Sequence, residues 1–117
     1  MTSGDDLLAA AAYLEVHGWH QGASYAHPGA PSPGETPPAC ALGALRLTLR
    51  SAEWVRFQAA RQRLGQYLFE NRLLPFPEET VLSCELEPAH LIPSWNDQPA
   101  QTREDVILAL KRAASRL

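Results

Sequence analysis

Cys40 is the residue of this chain best placed to act as a reagent. It follows a proline pair and opens an apolar run, Cys40-Ala41-Leu42-Gly43-Ala44-Leu45. In the first turn of a helix the macrodipole lowers a thiol pKa and favours the nucleophilic thiolate. Such a nucleophile needs a base and a group to orient that base. His20 is the candidate base, with His17, His27 and His90 also present, and Asp97 or Asn96 is the candidate orienter. A small cysteine-dependent enzyme is therefore one function that the residue types permit. The neighbourhood argues the other way. Cys40, Gly43, Ala44 and Leu47 share one face of a helix, small residues let another element approach closely, and a thiol in apolar surroundings is inert.

A second group suits binding better than catalysis. Trp19 and Gln21 stand in Gly18-Trp19-His20-Gln21-Gly22, and Trp95, Asn96 and Asp97 are consecutive. Two aromatic walls with polar side chains beside them could line a groove, so Trp19, Gln21, Trp95, Asn96 and Asp97 are the candidate binding residues. The competing reading is structural. Asn and Asp just before a proline are ordinary turn residues. A buried indole N–H needs an acceptor, and Gln21 or Asp97 could supply it, tying the motifs into a knot.

Metal chemistry has less support. His17 and His20 are three residues apart, but Gly18 breaks the helix between them, and no CxxC or HxxxH spacing brings Cys40, Cys84 or Asp97 into a standard ligand set. No glycine-rich phosphate loop and no GxSxG stretch is present. The expectation is no metal and no cofactor. A Cys40–Cys84 disulfide is not expected in a reducing compartment.

These stretches, in the order GWxQG, CxLGAL and WND, resemble a family of small bacterial and phage proteins classed as a domain of unknown function. The resemblance spans nearly the whole chain. It implies positions of interest and no activity.

The elements that must position these residues are helical. Ala and Leu together supply 35 of 117 residues, and Val and Ile supply six. That balance favours helix over sheet. The spacing predicts a first helix over 5–17, with Ser3 as N-cap, a stripe of Leu7, Leu8, Ala11, Ala12 and Leu14, and Gly18 as its stop. A second, apolar almost all round, begins near Pro38 and runs to Arg50; it is expected to be the most buried element. A third spans 52–73 with Ser51 as N-cap and a stripe of Trp54, Phe57, Ala60, Leu64, Tyr67, Leu68 and Leu74, ending at Leu74-Pro75. Residues 75–94 fit a short helix or a strand through Leu82, Cys84 and Leu86, with the helix preferred. The last helix covers 103–116, capped by Thr102 with Glu104 and Asp105 in its first turn and an apolar stripe of Val106, Ile107, Leu110 and Ala113 or Ala114. Residues 26–38, rich in Pro and Gly, form an exposed loop, and 19–25 is packed, with a short strand as its alternative.

The expectation is one all-α domain, 1–117, a compact bundle of four to five helices around a buried central helix with a long Pro-rich loop. The net charge of −3 argues against a nucleic-acid partner. Charge is nonetheless segregated. Residues 44–72 carry six arginines against two acids, whereas 1–43 carry four acids and no base. Opposed segments that neutralise each other are the ordinary outcome. An arginine face from Arg46 to Arg72 that meets nucleic acid is the sharper and weaker one. No apolar run approaches the ~20 residues of a membrane span, and the acidic start, Met1 to Leu8, is unlike a secretory signal, which predicts a cytoplasmic protein. The leading expectation is a small non-enzymatic binding, accessory or regulatory protein with a protein or small-molecule partner. The third helix also offers a face for a homodimer.

Overall fold

The computed structural model describes residues 3–26, 31–32, 34–49, 54–83 and 87–115. Among them are six α-helices: α1 (Ser3–His17), α2 (Ala41–Leu49), α3 (Trp54–Glu70), α4 (Glu78–Ser83), α5 (Ile92–Asn96) and α6 (Arg103–Ser115), with a 3-10 turn at Pro88–Leu91. No strand occurs among the described residues; Trp19 and Tyr25 each form an isolated bridge with Ala39. The all-α expectation holds, with more helices than foreseen. The Cα radius of gyration is 13.4 Å, the size of a tightly folded chain of this length.

α1 has the most extensive helix packing, against α2, α3 and α6. α2 is as buried as expected, with Arg46 its one exposed residue among those described, yet α1 makes the larger helix contacts. The reason is in its side chains. Leu7, Ala10, Ala11 and Leu14 are fully buried, and the two alanines let neighbouring helices come close. Leu8 and Ala12, assigned to the buried stripe from spacing, face solvent, while Ala10 and Tyr13 join the core. Ser3, expected as N-cap, lies inside the helix. Gly18 stops α1 as predicted: at φ +100° its N–H donates to the Leu14 carbonyl at 3.1 Å, the left-handed helix stop that glycine favours. α2 starts at Ala41, three residues later than the proline suggested, because residues 38–40 are held extended by the preceding loop.

α3 buries Phe57, Ala60, Leu64, Tyr67 and Leu68, but Trp54 is 59% exposed and stacks on Phe57. The helix closes at Glu70, before the expected end. Its expected N-cap, Ser51, lies outside the described residues. Gly65 lets α3 meet the 3-10 turn, since a Cβ there would overlap the Ala89 backbone. The short helix preferred for 75–94 is present at Glu78–Ser83; residues 84–86 lie outside the described residues. α6 follows its expectation: Thr102 Oγ1 accepts the Asp105 N–H at 3.1 Å, and Val106, Ile107, Leu110 and Ala113 are buried.

The charged segments do meet. Asp6, 1% exposed, pairs with Arg56 at 2.6 Å, and Glu15 pairs with Lys111 at 2.7 Å. Arg63 donates to the Ala113 and Ala114 carbonyls at the end of α6 and to Ser3 Oγ at the start of α1. Arg103 closes the other end, donating to the Leu14 and Glu15 carbonyls. These bonds set α6 antiparallel to α1, with each guanidinium on carbonyls of a helix's last turn, where the dipole favours a cation.

Candidate functional site

Three stretches distant in sequence converge at the start of α2. After Gly18 the chain doubles back along residues 38–40. His20 N–H donates to the Ala39 carbonyl, and Ala39 N–H donates to the Gly18 carbonyl. Gly22, at φ +91°, turns the chain, and a second arm returns: Cys40 N–H donates to the Ser24 carbonyl and Ala26 N–H to the Pro38 carbonyl. Residues 38–40 are thus clasped from both sides. Gly43 permits the clasp, because a Cβ there would land on the Ser24 carbonyl oxygen. Tyr13 hydroxyl anchors the incoming strand of chain to α1 through the Pro37 carbonyl at 2.6 Å.

Asn96, the last residue of α5 and 1% exposed, locks the clasp. Its Oδ1 accepts the Trp19 indole N–H at 2.9 Å and the Ala41 N–H at 3.1 Å. Its Nδ2 donates to the His20 carbonyl at 3.1 Å and to Asp97 Oδ1 at 2.9 Å. Two acceptor bonds and two donor bonds use the whole capacity of a carboxamide. Around it, Gln21 Nε2 donates to the carbonyls of Asn96 and Gln98, and Gly22 N–H donates to Asp97 Oδ1. The indole partner is therefore Asn96, where Gln21 or Asp97 was expected. Those two side chains hold backbone on either side of it.

Cys40 is the N-cap of α2. Its Sγ accepts the Gly43 N–H at 3.3 Å, satisfying a donor that the helix start leaves free. Burial pushes the thiol above its ordinary pKa; backbone N–H groups of Gly43 and Leu42 pull it down without reversing this, and the Asp97 carboxylate adds a smaller upward push. A nucleophilic cysteine needs the opposite balance. No hydrogen bond joins the His20, His17 or His90 ring to this sulfur among the described residues; the His17 ring packs on Tyr13, and His27 lies outside the described residues. The structure brings Cys40 and Asp97 together and takes from His20 only its backbone. No cluster of three or more His, Cys, Asp or Glu that could hold a metal occurs among the described residues. Cys84 lies outside them.

The arginines of the basic segment are mostly engaged inside the molecule. Arg46 lies over the Phe57 ring at 4.7 Å, Arg56 holds Asp6, Arg61 donates to Gln58, and Arg63 closes α6. Of the described arginines in residues 44–72, these contacts leave Arg72.

Trp95 points away from the clasp. It is 3% exposed and lines a groove of about 290 Å³ with Tyr67, Leu73, Gln98, Asp105, Leu108 and Arg112. Leu73 and Leu108 are 41% and 42% exposed at this groove. Gln101 braces its wall by donating to the Trp95 carbonyl at 2.9 Å. Sequence reasoning reached Trp95 but missed the rest. The available signal was Leu108, an apolar residue off the buried stripe of α6.

The model of a family of unknown function, DUF6197, matches residues 1–116. No curated protein matches the chain, and no solved structure does.

Proposed function

The chain belongs to DUF6197, a family of unknown function, so its activity has to be read from its own residues, and we propose that it is a small non-enzymatic binding protein that grips a polypeptide partner in the groove beside Trp95. One observation carries this reading. Asn96 is used up by the clasp, while Trp95, its immediate neighbour, walls a groove rimmed by two exposed leucines. The clasp fixes α5, and α5 presents Trp95. Rigid presentation of an aromatic wall lowers the ordering cost of binding.

The groove also carries charge of both signs. Neither the Asp105 carboxylate nor the Arg112 guanidinium has a side-chain partner among the described residues. Seven positions along α6 separate them by about 10.5 Å. A partner surface with a basic and an acidic group about 10 Å apart, and an apolar side chain between them, complements this face. The thiol of Cys40, as the cap of α2, has a structural task in this reading. The cysteine-enzyme reading has less support, because the sulfur is buried, its pKa is raised and no imidazole among the described residues bonds to it.

The test is site-specific photo-crosslinking in the organism that makes the protein. A benzophenone side chain at position 108 should yield a discrete protein adduct, one at the exposed Leu8 should not, and Leu73→Asp should remove the adduct. No adduct from position 108, or the same adducts from position 8, would contradict the proposal.

A further inference from the structure

A second groove lies on the other side of the Arg72–Leu74 ridge, and its charged residue stands at a backbone position that chemistry would give to glycine. α3 ends in a Schellman closure: Leu73 N–H donates to the Leu68 carbonyl at 2.9 Å and Arg72 N–H to the Phe69 carbonyl at 3.1 Å. The residue between these bonds must adopt a left-handed conformation, and Arg72 does, at φ 56°. Glycine takes that conformation without steric penalty. An arginine held there at a cost is a reason to ask what its side chain does.

Its guanidinium has no hydrogen bond, ion pair or ring contact among the described residues, where Arg46, Arg56, Arg61, Arg63 and Arg103 each have one. It lines a cavity of about 470 Å³ with Phe69, Leu74, Phe76, Glu79 and Val81. Leu74 and Val81 are buried and form the floor, while Phe76 is 41% exposed at the rim. The Glu79 carboxylate also lacks a partner among the described residues.

We infer that this groove is a binding site for a free apolar amino acid. Arg72 presents a planar fork that matches a carboxylate. Glu79 accepts from the ammonium group. Phe69, Leu74, Phe76 and Val81 enclose the side chain, and the volume lies in the range of small-molecule sites. A simple anion leaves Glu79 facing a like charge, and a simple amine leaves Arg72 in the same position, so the pair selects a ligand with both charges. This site is separate from the Trp95 groove and does not rest on the reading given for it.

The experiment is calorimetric titration of the whole protein with L-phenylalanine, L-leucine, phenylacetate and phenethylamine. At least one amino acid should saturate the protein. Phenylacetate and phenethylamine should bind about tenfold more weakly or worse, since each forfeits a charge-assisted contact. Arg72→Gly should weaken the amino acid by about tenfold or more while its melting temperature holds or rises. Arg72→Asn, which also tolerates the left-handed backbone, should weaken it alike, as should Glu79→Gln. Saturation by neither amino acid, full binding by Arg72→Gly, or equal binding of phenylacetate or phenethylamine would overturn the assignment.

Discussion

The indole N–H of Trp19 donates to Asn96 Oδ1 at 2.9 Å across 77 positions of the chain. The Ala41 N–H shares that oxygen. One carboxamide thus joins the loop after α1, the start of α2 and the end of α5. Removing it leaves an indole N–H, a backbone N–H and the His20 carbonyl without this partner at a buried or half-buried position. Each stranded group costs about 1–3 kcal/mol.

Asn96→Ala should therefore lower unfolding stability by about 3–4 kcal/mol, read as a fall in the urea midpoint. Asn96→Asp keeps the shape but turns the donor side into an acceptor facing the His20 carbonyl and the Asp97 carboxylate. It should be less stable than Asn96→Ala at neutral pH, although it removes fewer atoms. The reverse order would mean that volume, and not hydrogen bonding, is what Asn96 supplies.

Gly43→Ala separates helix propensity from packing. Propensity alone predicts a gain of about 1 kcal/mol in an exposed helix. The Ser24 carbonyl occupies the place of the new methyl group, so overpacking should dominate and give a net loss of about 1–3 kcal/mol. Hydrogen exchange should locate the damage at the Cys40 and Ala26 amides, whose bonds hold the second arm of the clasp.

Burial raises the pKa of Cys40, which fixes two signs. In a Cys84→Ser background, iodoacetamide should alkylate the native protein more slowly than the urea-unfolded chain at neutral pH, and the native rate should climb only at higher pH. The native state also keeps the thiol proton longer than the unfolded chain does. That contribution to stability is complete below the unfolded pKa and is lost as pH rises through the folded one. A native rate above the unfolded rate would refute this account of the sulfur.

How far the sequence could be read depended on how local each signal was. α6 was legible because Thr102, Glu104, Asp105 and the apolar stripe act within one or two turns. The start of α2 was misplaced because Pro38 is locally acceptable in a first turn, whereas the bonds from Ala39 and Cys40 to Gly18 and Ser24 are tertiary. The large contacts of α1 with α2 and α6 escaped for a related reason: alanine marks a close contact but names no partner. Asn96 was identified as a candidate, but beside Asp97 and Pro99 it reads as a turn residue, and nothing local shows that its amide is buried. Leu108 stood outside the helical stripe, which marks an exposed apolar residue without showing that Leu73 and Trp95 stand beside it.

The exposed ion pair gives a spectroscopic prediction. A hydrogen bond and the charge of Lys111 lower the pKa of Glu15, with a smaller contribution from Arg103. A lowered carboxylate pKa stabilises the fold above the unfolded value and loses that contribution as pH falls through the folded one. Lys111→Ala should move the Glu15 carboxyl titration, followed by carbon NMR, up toward the ordinary range. An unmoved titration would show that the pair does not persist in solution.

The central claim is that the Trp95 groove binds a partner and that Cys40 only caps a helix. The most direct measurement is the yield of the position-108 photo-adduct from the Cys40→Ala protein, with its helical content checked by circular dichroism. The account predicts the same adduct at a similar yield. A folded Cys40→Ala protein that has lost the adduct would contradict it and return the sulfur to the site.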